Sequence, residues 1–261
     1  MTDTEILLAA YDDQMRGAPP NPPAGVTYEQ DGPLLRVVGG FRGFVSGPRS
    51  LGVHGADLDR LIARQRDFFA ARGEAVEWKT RSHDDPADLT DRLRAAGFTP
   101  EDQETVLIGR AAEMAVREPA LPPGVTLRRV TADPDMRRIA AMESVVWGQD
   151  RGWLAEDLTG RVAAAPDEIA VYVAEAEGEV VSAAWLVHRA GTEFASLWGG
   201  STLAEWRGRG IYRALVATRA ALAVGRGVTY LHVDASDDSA PILRRLGFEA
   251  VTTTTPYVWN P

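Results

Sequence analysis

Cysteine is absent from the 261-residue sequence, which excludes disulfides, thiolate metal sites and a cysteine nucleophile. Lysine is almost absent: Lys79 is the one lysine among 28 basic residues. It lies in EWKTR (77–81), not after the glycine of a phosphate-binding loop, so the P-loop kinase or ATPase class is excluded. The four histidines, His54, His83, His188 and His232, form no HExxH or other short ligand spacing, and no metal site is expected. No apolar run approaches a membrane span. The opening residues, MTDTEILLAAYDDQ, carry acids where a signal peptide needs a basic stretch, so the expected compartment is the cytoplasm. A net charge of -9 argues against a general nucleic-acid or anionic-membrane binder, although a local basic patch stays open. A hydrophobic content of 45% and this length suit one large or two modest domains with a real core.

The order of segments resembles itself. In the first half a helix over 4–16 ends at Gly17 and the breaker run APPNPPAG (18–25). Strands then flank an Asp31-Gly32 turn, a helix runs over 56–71, EAVEWKT reads as a strand, and a helix stops at Gly97 before the strand ETVLIG. Residues 110–124 read as a linker. The second half gives strand VTLRRV, a helix with an Asp-Pro start, a second helix, and a hairpin turning at Glu177-Gly178. It continues with strand SLWGGST, the RGRG helix, strand GVTYLHVDA, helix SAPILRRLG and a last strand VTTTTPYVW. Three short matches recur in the same order: YEQDGPLL with AEAEGEVV, AARGEAVEW with AVGRGVTYL, and DRLRAAGF with PILRRLGF. Their common order points to an internal duplication.

The segment AEWRGRGIYRALVATRAAL (204–222) interleaves two arginines and two glycines where an apolar helical pattern begins. First-turn amides of a helix have no intrahelical partner, and the helix dipole places partial positive charge there. Gly208 and Gly210 let backbone approach an anion without a Cβ in the way. Arg207 and Arg209 add charge-assisted donors, so a pyrophosphate would both fill the amides and relieve the arginine repulsion. A surface turn with incidental arginines is the plainer alternative. A dinucleotide fingerprint fails, because Arg213 stands where its third glycine belongs.

Strand, RGRGIY, helix, strand, helix and LGF together resemble the GNAT N-acetyltransferase superfamily over Val125–Pro261. The resemblance implies an α+β fold of two GNAT-like mixed-sheet domains in tandem. The first would be shortened and degenerate (1–109), followed by a linker (110–124) and an acetyl-CoA-binding domain (125–261). It implies acetyl-CoA as cosubstrate, no metal, and direct transfer of the acetyl group to an amine of a small molecule or peptide. Neither nucleic acid nor membrane is a partner in this reading, and no oligomeric state follows. Arg207 and Gly210 match the family's pyrophosphate loop, with Gly208, Arg209, Ile211 and Tyr212 completing it. Tyr212 departs from the pattern, which has a small residue there. Gly200 and Thr202 fall where the family's fourth strand meets the pantetheine arm, and Gly199-Gly200 favours a bulge or a bend. Ser236 falls where many members carry an asparagine on the coenzyme, and an ST-turn into the next helix is equally open.

Two positions depart in the chemistry: Ser196 stands where a proton-accepting carboxylate is common, and Leu243 where a tyrosine commonly protonates the thiolate. His232 and Asp234, on one face of a strand, are the substitutes, unless they are only a polar pair on a half-exposed strand. Trp147 and Trp153 line the acceptor groove in this comparison, or pack in a core. In the first half Asp57 and Asp59 occupy the corresponding helix start and repel phosphate, so that half is not expected to bind the coenzyme. A non-catalytic acyl-CoA-binding sensor is the alternative that the missing carboxylate and tyrosine leave open.

Overall fold

The computed structural model describes residues 2–19, 25–116 and 121–261. The middle of the breaker run and part of the 110–124 segment therefore lie outside the described residues. The chain is a mixture of helices and strands, and it divides into two compact units. The first takes Met1–Leu107, Asp234–Arg244 and Glu249–Pro261; the second takes Ile108–Val233 and Arg245–Phe248.

In the first unit, α1 (Asp3–Met15) starts on a capping box in which Thr2 and Glu5 exchange hydrogen bonds. Strands β1 (Thr27–Asp31), β2 (Leu34–Val38) and β3 (Gly43–Ser46) run antiparallel in turn. Helix α2 (Gly55–Ala70) then carries the chain to β4 (Val76–Arg81), which pairs parallel with β3. After α3 (Leu89–Ala95) come the short β5 (Thr99–Pro100) and β6 (Glu104–Arg110), which begins in this unit and ends in the second. Leu58, Leu61, Ile62 and Phe69 of α2 recur at helical spacing and bury against Val45, Val76 and Trp78 of the strands.

The rest of the chain follows with a second set of helices and strands. Helix α4 (Ala111–Ala115) follows β6, then β7 (Val125–Val130), α5 (Asp133–Trp147) and α6 (Trp153–Ala164). Strands β8 (Ile169–Ala176), β9 (Glu179–His188) and β10 (Phe194–Thr202) are antiparallel neighbours, with β7 antiparallel on β8. The 3-10 turn η1 (Ala204–Trp206) and α7 (Ile211–Gly225) then lead to β11 (Tyr230–Ala235), parallel to β10. The chain closes with α8 (Ala240–Arg245) and β12 (Glu249–Trp259). The hairpin turns where the sequence places it, with φ of 53° at Glu177 and 85° at Gly178.

Two features differ from a simple reading in chain order. The segment read as a linker contains α4, whose Ala111 and Met114 are buried and whose first amide bonds to Thr229 O at 2.9 Å. The last strand belongs to the first compact unit. Antiparallel to β4, it pairs Thr254 with Arg81 through to Trp259 with Val76, and Tyr257 joins that unit's core. Both are long-range choices that local periodicity does not encode.

Candidate active site

The site is built around an interruption in β10. Its register on β9 shifts between Gly199 and Ser201. Gly199 and Gly200 have φ of 70° and 84°, a conformation that L side chains rarely adopt. Close packing also demands glycine here: a Cβ on Gly199 would stand 2.5 Å from the Trp185 ring, and one on Gly200 2.7 Å from Tyr212 Cε2. Tyr212, the departure from the family loop, therefore has its ring seated on the bare backbone of Gly200. Beneath the bulge lies Arg219 of α7, 1% exposed. It donates from Nη1 to Trp185 O (3.1 Å) and Trp198 O (3.2 Å), and from Nε to Leu215 O (3.0 Å). Two of these bonds satisfy strand carbonyls beside the bulge, and the third stays within α7. Burial pulls its guanidinium down to about 10, so it stays charged at neutral pH.

Beyond the bulge, Thr202 turns its hydroxyl inward to Ser182 (2.8 Å) and gives its carbonyl to Arg207 Nε (3.0 Å). Its hydroxyl is thus spent inside the fold, and its contribution to a ligand contact would come from the backbone. The loop that follows alternates in hand: Gly208 has φ of 72° and Gly210 of 89°, with Arg209 between them on the ordinary side. Such alternation turns successive N–H groups toward one concavity that suits an anion. Gly210 is the N-cap of α7 and has no side chain to cap the amides of Ile211 and Tyr212. Arg207, Gly208 and Arg209 are exposed, and the Arg209 guanidinium stands 4.9 Å from the centre of the Trp206 ring.

The two residues read as proton carriers go to different units and different partners. His232 is buried in the second unit, with Nδ1 at 3.2 Å from Ser196 Oγ across the parallel β10–β11 step. Asp234 belongs to the first unit and forms an ion pair with Lys79, both side chains largely buried. Burial opposes the Lys79 charge, yet Asp234 holds its ammonium above the usual range. An Asp so engaged is a poor proton acceptor. Ser236, also in the first unit, faces Ser239 (Oγ···Oγ 3.3 Å) and accepts the Ser239 and Ala240 amides at its carbonyl, the turn geometry that opens α8. Near the Lys79–Asp234 pair, burial and then Asp234 push the Glu104 carboxyl up to about 7.

That value gives a pH prediction. The folded chain keeps the Glu104 proton up to about pH 7, while the unfolded chain releases it near 4.5. Stability therefore falls as pH rises through that interval, by ~1–2 kcal/mol for a partly screened group. In Glu104→Gln this part of the slope disappears, as urea midpoints at pH 5 and pH 7.5 would show.

Sequence reasoning missed one group. Glu143 of α5 is 1% exposed. Its Oε2 accepts Trp147 Nε1 at 2.7 Å, and the same N–H reaches Ser201 Oγ, at the end of the bulge, at 3.1 Å. Its Oε1 closes no hydrogen bond. Arg151 comes only within 3.9 Å. Burial pushes the carboxyl above its usual range, against the pull of Ser201, Trp147 and Arg151. The signal was present: Glu143 sits on the apolar stripe of α5 with Met136, Ile139 and Ala140, where a carboxylate is out of place. Trp147 and Trp153 are each 51% exposed and so stand at a rim instead of in the core.

Among the described residues no cluster of three His, Cys, Asp or Glu side chains could hold a metal, and no helix is long and apolar enough to cross a membrane. No curated protein sequence matches the chain. Solved structures match in fold. A GCN5-related N-acetyltransferase from Kribbella flavida is 18% identical with a TM-score of 0.70, covering 100% of this chain and 96% of its own. A tandem GNAT protein from the clavulanic acid biosynthesis pathway is 16% identical, with a TM-score of 0.65 and coverage of 99% and 96%. A GCN5-related N-acetyltransferase from Sphaerobacter thermophilus is 17% identical, with a TM-score of 0.62 and coverage of 98% and 91%. The sequence model of the acetyltransferase (GNAT) family matches residues 133–248, which span the bulge, the RGRG loop and Glu143. The chain thus has the fold of the GNAT structures, and residues 133–248 match the acetyltransferase (GNAT) family in sequence.

Proposed function

We propose that the protein transfers an acetyl group from acetyl-CoA to an amine of a small molecule or peptide, directly, with both substrates bound. The observation that carries this reading is the exposed loop Arg207–Arg209 leading into the uncapped start of α7, with left-handed glycines at 208 and 210 and arginines at 207 and 209. It suits a diphosphate, and it lies next to a strand opened by a bulge that frees backbone groups for the pantetheine arm. Holding amine and thioester together supplies much of the rate. In this reading residues 125–261 carry the chemistry, residues 1–109 are a degenerate duplicate serving as scaffold, and the protein works in the cytoplasm without a metal. His232, on the strand side, is the proton-transfer group for the departing thiolate. Asp234 contributes through its pairing with Lys79.

The test is calorimetric titration with acetyl-CoA. Gly208→Asp places a carboxylate in the concavity at a site where a Cβ meets nothing within 4 Å. Asp tolerates the left-handed conformation better than most residues. The expected result is micromolar binding by the unaltered protein and at least a hundredfold loss in the variant. Equal affinity in the two proteins would remove the reading.

The second reading, a sensor that binds acyl-CoA without turnover, is favoured by Ser196 and Leu243, which lack the family's usual acid–base groups. Release of thiol from acetyl-CoA in the presence of any amine would end it.

A further inference from the structure

The structure holds a carboxylate whose position the coenzyme loop does not explain. Glu143 is almost wholly buried, lacks a strong cationic partner, and has one oxygen without a hydrogen bond. A buried carboxylate in that state is costly unless something else engages it. Two more buried polar atoms of the same unit also lack partners: Trp185 Nε1 on β9 and Thr159 Oγ1 on α6. Helices α5 and α6 pack on each other, α5 also packs on β9 and β10, and Trp185 belongs to the core between these helices and the strands. Glu143 and Trp185 thus lie on elements that pack on each other beside β10, and the Trp185 ring lies against Gly199 of the bulge, whereas Thr159 lies on α6, which packs on α5 and β8.

Three tryptophans of these elements reach the surface. Trp147 ends α5, Trp153 opens α6 and Trp198 immediately precedes the bulge, each half exposed. The Arg151 guanidinium stands 4.7 Å over the Trp147 ring and is the charged group facing Glu143. One buried carboxylate beside one arginine suits an acceptor with a single ammonium on an apolar or aromatic body. A polycation would bring further positive charges against Arg151.

Resting on the transferase reading above, we propose that Glu143 is the catalytic base, receiving a proton from the ammonium of a monocationic amine with an apolar or aromatic body that enters beside Trp147. Glu143 Oε1 takes one proton from the ammonium. The freed lone pair forms the C–N bond at the thioester carbonyl, and the C–S bond breaks as the tetrahedral centre collapses. The second nitrogen proton goes to the departing thiolate, and Glu143 later returns its proton to water.

The experiment measures thiol release from acetyl-CoA with 2-phenylethylamine and with spermidine, across pH, beside acetyl-CoA calorimetry. Expected are preference for 2-phenylethylamine and, in Glu143→Gln, a fall in kcat of about a hundredfold with acetyl-CoA affinity within twofold of the parent. Trp147→Phe keeps a ring on the surface but removes the donor that favours the charged carboxylate. The acid limb of its pH profile should therefore move to higher pH, which gives a readout even where Glu143→Gln does not fold. Unchanged kcat in Glu143→Gln, joint loss of coenzyme binding, an unmoved limb in Trp147→Phe, or a preference for spermidine would each overturn this assignment and leave the transferase reading standing. Absence of turnover with every amine would bring down both.

Discussion

Replacing Lys79 with Met is expected to cost about 3–5 kcal/mol, because it strands the Asp234 carboxylate in a largely buried position. The cost arises from the charge left behind more than from the attraction lost, so the same logic applies to Asp234→Leu, which strands the ammonium. The double variant Lys79→Met with Asp234→Leu should recover most of the stability, since an apolar pair of similar volume carries no desolvation penalty. Urea unfolding of the four proteins gives the coupling directly. Glu104 provides an independent readout. Lys79 opposes the upward push on its carboxyl, so in Lys79→Met alone the Glu104 proton should be held to a still higher pH. Loss of stability in the double variant equal to the sum of the singles would show that the pair is not coupled.

Gly200→Ala is expected to disturb the proposed coenzyme loop strongly with a single methyl. At φ of 84° an alanine is strained by about 1–2 kcal/mol. Its Cβ would also stand 2.7 Å from Tyr212 Cε2, so the ring must move, and with it the first turn of α7. We expect about 2–4 kcal/mol of destabilisation and weaker acetyl-CoA binding, because the displaced turn carries the amides of the proposed diphosphate site. Adding Tyr212→Ala removes the obstructing ring and should restore coenzyme affinity more than stability, since the left-handed strain remains. If Tyr212→Ala brings no recovery, ring and strand are not packed as described.

Local chemistry made some of this legible in advance. The Gly199-Gly200 bulge, the left-handed turn at Glu177-Gly178 and the uncapped start of α7 each follow from residues whose backbone preferences act over a few positions. The tyrosine at 212 read as a departure until the bare backbone of Gly200, twelve residues earlier, was seen beneath its ring. Glu143 was visible in principle as a charge on an apolar stripe, but Ser201, which shares the Trp147 N–H with it, lies 58 residues away and no local rule links them. His232 and Asp234 share a strand face by alternation, yet the chain passes from one compact unit to the other between Val233 and Asp234. Alternation fixes the face and says nothing about which neighbours it meets. The pairing of β12 with β4 is the extreme case, a register choice between segments some 175 residues apart.

That pairing bears on how the molecule comes to be made. A ribosome releases β4 long before β12 exists, so the earlier unit waits with one flank of its sheet open until the final residues emerge. Exposed flanks of this kind invite association with other nascent chains, and closing so long a loop is slow. Dividing the gene at the linker read from the sequence would therefore leave the earlier product short of a strand, and the compact units are not interchangeable with the halves of the reading frame.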